Sequence, residues 1–196
     1  MNKKEIQEQR VRGYFIAATK EILKSEGLKS VSVRNIADRA GYSFATLYNY
    51  FKDVKDLVFL CVKDFRAECS EYVMIRTAGI TPGNKRLKAT VLAYMEYFIQ
   101  YPGIFELFFV EKLSDMDRQG ATTALVTTLL TELCAADWEY CVDKRMLTAR
   151  EATLKQATLL YGITGLLTLY LNRRHPESYT AFLKQAGQLI DGQLKN

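Results

Sequence analysis

Histidine is almost missing from this 196-residue chain: there is one, His175, followed by a proline. Without imidazoles the chain has no ready general base near neutral pH and no His-rich set for zinc. The four cysteines, Cys61, Cys69, Cys134 and Cys141, form no Cys-x-x-Cys pair. That spacing excludes a zinc ribbon or a dithiol redox motif, and free buried thiols in a reducing cytosol are expected. With 3 prolines and 11 glycines, the punctuation is too sparse for the many turns of an all-β protein. The longest uncharged run, 156–172, is seventeen residues with three threonines and two glycines. A membrane span needs about 20 mostly apolar residues, so a buried core or interface helix is expected there. The opening Met1-Asn2-Lys3-Lys4-Glu5 has no apolar segment behind its charges, and no secretory leader is expected.

Catalytic signatures are missing too. No Gly-rich phosphate loop, nucleophile elbow or metal-spaced cluster of histidine and carboxylates occurs. Carboxylate pairs such as Asp115 and Asp117 stand in charged loop text. The expectation is a cytoplasmic protein that is not an enzyme and carries no metal or cofactor.

What is present is a large apolar fraction, 48%, with 25% charged residues. That suffices for a real core and excludes a disordered chain. The net charge of +5 is unevenly placed: residues 1–55 hold eleven Lys/Arg against six Asp/Glu, and residues 56–196 hold sixteen of each. The whole excess sits in the first quarter. This asymmetry implies a basic module for a polyanion joined to a neutral module with another task.

Helical periodicity dominates. Val11, Phe15, Ala18 and Ile22 recur at steps of four, three and four, which is one face of an amphipathic helix. Val54, Val58, Cys61 and Phe65 repeat the pattern, as do Leu87, Val91, Tyr94, Phe98 and Tyr101. Tyr179, Phe182, Leu183, Ala186, Leu189 and Ile190 make the last stripe. Gly27 ends the first helix as a left-handed cap, and Thr148 with Glu151 fits a capping box opening a long one. His175-Pro176 is expected to end that helix, with Pro176 at the first position of the next. The predicted fold is all-α, with about nine helices.

The segment 32–57, SVRNIADRAGYSFATLYNYFKDVKDL, carries the function. A short helix, a turn at Gly41 and a second short helix are the parts of a helix-turn-helix. Ile36 and Leu47 can pack between the helices, Ala37 is small where they cross, and Gly41 can take the positive φ of a tight turn. Ser32 and Ser43 are placed to cap the two helices. This packing leaves Phe44, Ala45, Thr46, Tyr48, Asn49 and Tyr50 outside: hydroxyls, an amide and aromatics, with no acid. Such a surface suits a major groove, where asparagine pairs bidentately with adenine and hydroxyls reach phosphates or base edges. Arg34, Arg39, Lys52 and Lys55 surround it. A packed hairpin with a solvated face accounts for the spacing alone equally well, and the localised charge tips the balance to DNA.

These residues resemble the N-terminal domain of the tetracycline-repressor (TetR-type) transcriptional regulators. Arg12, Phe15, Ala18, Ile22, Leu23 and Gly27 fit that family's first helix. Ser32, Val33, Ile36, Ala37, Ala40, Gly41, Ser43, Thr46, Leu47, Tyr48, Phe51 and Leu57 fit its helix-turn-helix and the start of its fourth helix. The resemblance spans about residues 10–58. It implies a dimer on a palindromic operator with the third helix in the major groove. By position, Ser43, Phe44, Ala45, Asn49 and Tyr50 would lie near bases or adjacent phosphates. Thr46, Tyr48 and Arg34 would contact the phosphate backbone. The chain departs from the family pattern at Val54, where lysine is common, and at Tyr50, where histidine is frequent. Lys55 or the amides opening the fourth helix stand nearest to replace the missing contact.

The resemblance divides the chain into a DNA-binding domain, 1–52, and an effector-binding and dimerisation domain, 53–196. It implies a repressor released by a small molecule, with the fourth helix as lever. A helical protein-interaction adaptor without effector control is the alternative, and a DNA-binding structural protein that ignores small molecules is a third. Tyr94, Tyr97, Phe98, Phe105, Phe108, Phe109, Trp138 and Tyr161 are the candidate pocket residues, because aromatic surface with polar tips suits a ligand cavity. The run 154–171 is apolar nearly all round. Leu160, Thr164, Leu167, Leu171, Phe182, Ala186 and Leu189 are therefore the candidate dimer face, with Gly162 and Gly165 allowing close helix approach. Operator DNA, a small-molecule effector and a second copy are the expected partners.

Overall fold

The computed structural model describes residues 2–111 and 121–194. Among these there are ten α-helices, one 3-10 turn (Leu28–Ser30) and no strand. In order they are α1 Lys3–Ser25, α2 Val33–Ala40, α3 Phe44–Tyr50, α4 Val54–Thr77 and α5 Asn84–Gln100. Then come α6 Pro102–Phe109, α7 Ala121–Thr127, α8 Leu129–Asp143, α9 Ala149–Arg173 and α10 Tyr179–Leu194. The all-α fold is as expected, with ten helices rather than about nine. One break falls at Thr128, between α7 and α8, where neither glycine nor proline marks it. Asp115 and Asp117 lie outside the described residues.

The chain forms two compact units, Met1–Arg66 with Tyr101–Val126, and Ala67–Gln100 with Thr127–Asn196. In the first, α1 packs on α2 and α6, and α2 on α3. The stripe Val11, Phe15, Ala18 and Ile22 is buried against Ile36, Leu47, Phe51 and Leu57. Gly41 takes φ +75° as the left-handed cap of α2, as the tight turn demands. Pro102 opens α6 at its first turn, where its missing N–H costs nothing. At the next residue, a Cβ on Gly103 would come within 2.6 Å of the Leu23 carbonyl oxygen. Only glycine lets α6 start that close to the end of α1.

In the second unit, α5 packs on α8, α9 and α10, α8 packs on α9, and α9 packs on α10. Leu87, Val91, Tyr94 and Phe98 are buried there, as are Phe182, Ala186 and Ile190. Thr148 and Glu151 form the expected capping box: the Thr148 amide donates to Glu151 at 2.8 Å, and the Glu151 amide donates to the Thr148 hydroxyl at 3.2 Å. Pro176 is not the first residue of α10. Its place is three residues upstream of Tyr179, and Ser178 caps α10 by accepting from the Ala181 amide at 3.1 Å.

The four cysteines are free and buried. Burial pushes the Cys69 and Cys134 thiols up to about 12, so both stay protonated and unreactive. Among the described residues no group of acids, histidines and cysteines could hold a metal. No helix among them is long and apolar enough to cross a membrane.

Candidate nucleic-acid interface

The site begins with two serines. Ser32 accepts from the Asn35 amide and Ser43 from the Thr46 amide, each at 3.1 Å, fixing where α2 and α3 start. Ile36 and Leu47 are fully buried and Ala37 nearly so. These three lock the two short helices together and set which face of α3 points outward. That face carries Phe44 and Tyr48, 65% and 55% exposed, with Ser43, Ala45 and Asn49 also exposed. Two large aromatics held in water, on a helix too short to be stable alone, are conspicuous on a surface with no binding role.

The other candidates divide. Thr46 is half-buried, and its hydroxyl pairs with that of Ser43 at 2.9 Å. Tyr50 is half-buried with its ring 6.3 Å from that of Phe15, so it faces the domain interior more than α3's outer face. Arg34 has a side chain 90% exposed, 3.9 Å from Asp38, and Lys52 is exposed. Arg39 is committed elsewhere. It bridges Glu26 at 2.6 Å and Glu21 at 3.2 Å, tying α2 to α1 instead of adding to the cationic rim.

At the start of α4 the Lys55 amide donates to the Asp53 carboxylate at 3.1 Å. The capping acid takes one of the donors that a phosphate would use. The Lys55 side chain and the other amides opening α4 remain the candidates to stand in for the lysine missing at Val54.

Arg12 has a role that local patterning does not reveal. Its guanidinium donates to the Tyr50 carbonyl at 2.9 Å and lies 4.5 Å from the centre of the Phe51 ring. One side chain thus pins the end of α3 to α1, a contact across 38 residues of sequence. A charged donor to a part-buried carbonyl contributes about 1.5–3 kcal/mol. Arg12→Lys, which loses the planar fork, is expected to lower urea stability by about 1–2 kcal/mol. Affinity for a specific duplex should fall several-fold in parallel, while the slope of log affinity on log salt stays unchanged. A shallower slope would make Arg12 a phosphate contact instead.

The candidate pocket residues do not come together as one box. Tyr94, Tyr97 and Phe98 are buried in the second unit, ring against ring at 4.9 and 5.5 Å. Phe105, Phe108 and Phe109 fall in the first unit on α6. Tyr161 is 74% exposed, which removes it from any interior pocket, because position 161 faces away from the α9 core row Leu159, Ile163 and Leu167. A solvent-open cavity of about 390 Å³ does lie between α8 and α9, and of the eight candidates Trp138 alone lines it.

The candidate dimer face divides as well. Leu167, Phe182 and Ala186 are fully buried within the protomer and cannot meet a partner. Leu160, Thr164, Leu171 and Leu189 are half-buried. Gly162 serves this internal packing: its added Cβ would meet Leu189 Cδ1 at 2.8 Å, whereas Gly165 has open space around it. The outward row of α9 is instead Leu154, Tyr161 and Leu169, with Leu183 exposed on α10.

A small helical domain that holds a short acid-free helix outward between exposed cations is a helix-turn-helix DNA-binding domain. Residues 15–60 match the family model of the bacterial regulatory proteins, tetR family, so this segment is a tetR-type DNA-binding domain. The resemblance seen in the sequence is borne out there. Comparison with curated proteins finds no match. Among solved structures, a TetR-family transcriptional regulator from Rhodococcus sp. superposes with a TM-score of 0.72 at 14% identity, covering 95% of this chain and 100% of that one. The transcriptional regulator FadR from Bacillus subtilis, in complex with stearoyl-CoA, gives 0.69 at 13% identity, covering 94% and 98%. RolR in complex with resorcinol gives 0.65 at 13% identity, covering 97% of each chain. At these identities the likeness is one of fold, and it extends over nearly the whole chain.

Proposed function

We propose that this protein is a dimeric, sequence-specific transcriptional regulator of the cytoplasm, a repressor released by a small molecule. Residues 1–52 bind the operator, and residues 53–196 hold the effector and the dimer face. The carrying observation is the outward face of α3: Phe44, Tyr48 and Asn49 are exposed on a helix anchored by Ser43, Leu47 and Arg12. The regulators of like fold with stearoyl-CoA or resorcinol bound support the effector half. Two-fold pairing through Leu154, Tyr161 and Leu169 supplies the second reading head that a palindrome requires. The effector acts by favouring an arrangement whose half-site spacing misfits the operator, with α4 as lever.

Selection of duplexes from a random pool by the full chain tests this. A palindromic consensus should emerge, and its affinity should fall steeply with salt. Arg34, Lys52 and Lys55 on two protomers make six phosphate contacts, for a log–log slope of about −5. No enrichment, or equal binding of consensus and random DNA, would sink the regulator. An adaptor that used the exposed α9 row on another protein would give that result.

A further inference from the structure

The first eight residues of α1 take no part in the core. Burial on this helix begins at Val11, and every residue from 3 to 10 is exposed. About 12 Å of helix therefore stands beyond the packed domain. Asn2 keeps it wound: its side chain accepts from the Lys4 and Glu5 amides at 2.7 and 3.1 Å, and the Asn2 amide donates to Glu5 at 2.9 Å. This capping box occupies two of the amides that open the helix, so a partner of the segment has to be held by side chains.

Those side chains are sorted by charge. Lys3, Gln7, Arg10 and Tyr14 recur at steps of four, three and four, which is one face of the helix. All four are exposed. Glu5 and Glu8 stand roughly 140–160° round the axis from Lys3 and Arg10. The face is cationic and free of acid, and among the described residues no ion pair claims Lys3 or Arg10. Lys3 also opens α1, at the positive end of the helix dipole, where a cation is unfavourable until an anion joins it.

A second observation ties this stripe to the reading head. The Tyr14 ring, 53% exposed, stacks on Tyr42 at 6.2 Å, and Tyr42 directly precedes Ser43, the N-cap of α3. Two residues earlier on α1, Arg12 donates to the Tyr50 carbonyl at the other end of α3. Adjacent turns of α1 thus reach both ends of α3, so α1 crosses it and the exposed segment runs out past it. The stripe lies on the side of Tyr14, next to the turn where α3 begins. A duplex seated on the outer face of α3 carries a phosphate strand along each border of the groove.

We propose that Lys3, Arg10 and Tyr14 form a second DNA contact, on the sugar–phosphate backbone bordering the groove that α3 occupies. The two cations neutralise phosphates, the Tyr14 phenol donates to another, and none of the three reads sequence. The contact rests on the regulator reading above, since it needs a duplex already seated on α3.

Salt dependence of the full chain and of a Lys3→Gln/Arg10→Gln variant tests it. Arg34, Lys52 and Lys55 alone give a log–log slope of about −5; two more cations on each protomer make it about −9. The double variant should return the slope to about −5 and weaken consensus and random duplexes alike, by at least about 10-fold in about 0.1 M salt. Its melting transition should not move, because both side chains are exposed. Hydroxyl-radical footprints should lose protection of the sugars beside each half-site and keep it within. Tyr14→Phe, which keeps the stack on Tyr42, should weaken both duplexes about 3-fold. Lys4→Gln, the same change of charge off the stripe, should shift the slope by less than about 1. A slope and footprint unchanged in the double variant would overturn the contact. So would Lys4→Gln matching Arg10→Gln, which would reduce the stripe to net charge, or a loss confined to the consensus, which would make these residues base readers. If the unaltered chain binds no duplex, the regulator reading fails instead; specific binding with a slope the double variant leaves alone keeps that reading and removes only the stripe.

Discussion

Asn49→Ala is expected to weaken binding to the selected duplex by about 1–3 kcal/mol per half-site, the value of one bidentate base pairing. Both half-sites of a palindrome lose it, so the dimer loses about 30-fold to about 10⁴-fold. Affinity for random DNA should barely move, and the preference at one base pair in each half-site should relax. Tyr48→Ala should behave differently. If its exposed phenol touches the backbone, specific and random affinities fall together, and Tyr48→Phe retains all but the hydroxyl's share. Neither variant should alter the melting transition, because both side chains are exposed. Leu47→Ala, between them in sequence but fully buried, is the opposite control: it should cost about 2–5 kcal/mol of stability. An Asn49→Ala protein that loses specific and random DNA equally would remove base readout from this face.

Much of the reading head was legible because its signals are local. Ser32, Gly41 and Ser43 act within three residues of where they stand, and the Ile36/Leu47 seam follows from helical period. The charge excess ends close to where α3 gives way to α4, so composition and motif mark one module. Contacts that close over long sequence distances were not legible. Nothing near Arg12 announces that it caps α3, and nothing near Arg39 announces that α1 claims its charge. The same holds in the second unit. Helical period marked a stripe on α10 and an apolar run on α9, but neither says which side is already covered. Leu167 and Phe182 belong to the protomer's own core; Tyr161, six residues before Leu167 on α9, does not. Aromatic density reports core packing for a related reason. Tyr94 and Phe98 cluster because large rings fill a core efficiently, while the cavity is walled chiefly by small and acidic residues that composition does not single out.

Asp137 carries the largest expected stability effect. It is fully buried, and one carboxylate oxygen accepts from Arg86 Nε at 2.8 Å and from the Gly83 amide at 2.9 Å. Gly83 immediately precedes α5, so the carboxylate also meets the positive end of that helix. The other oxygen is buried without a partner, so the charge relies on this one set of donors. Arg86→Met should therefore cost about 3–5 kcal/mol, the penalty for stranding a buried charge. In a chain of this length each kcal/mol lowers the melting temperature by about 2–4 °C, so a fall of roughly 6–20 °C is expected. Asp137→Asn should cost less, because the Arg86 side chain is 24% exposed and can return to water, while asparagine still accepts from Gly83. Combining Arg86→Met with Asp137→Leu should recover most of the loss, since an apolar pair of similar volume replaces a buried ion pair at little cost. If Arg86→Met and Asp137→Asn prove equally costly, the penalty is one of packing and the charge is not what the donors serve. The outcome also bears on the cavity, because Trp138 follows Asp137 on α8. The pin that holds Asp137 at the start of α5 fixes the rotation of α8, and hence the direction in which Trp138, Glu139 and Asp143 face.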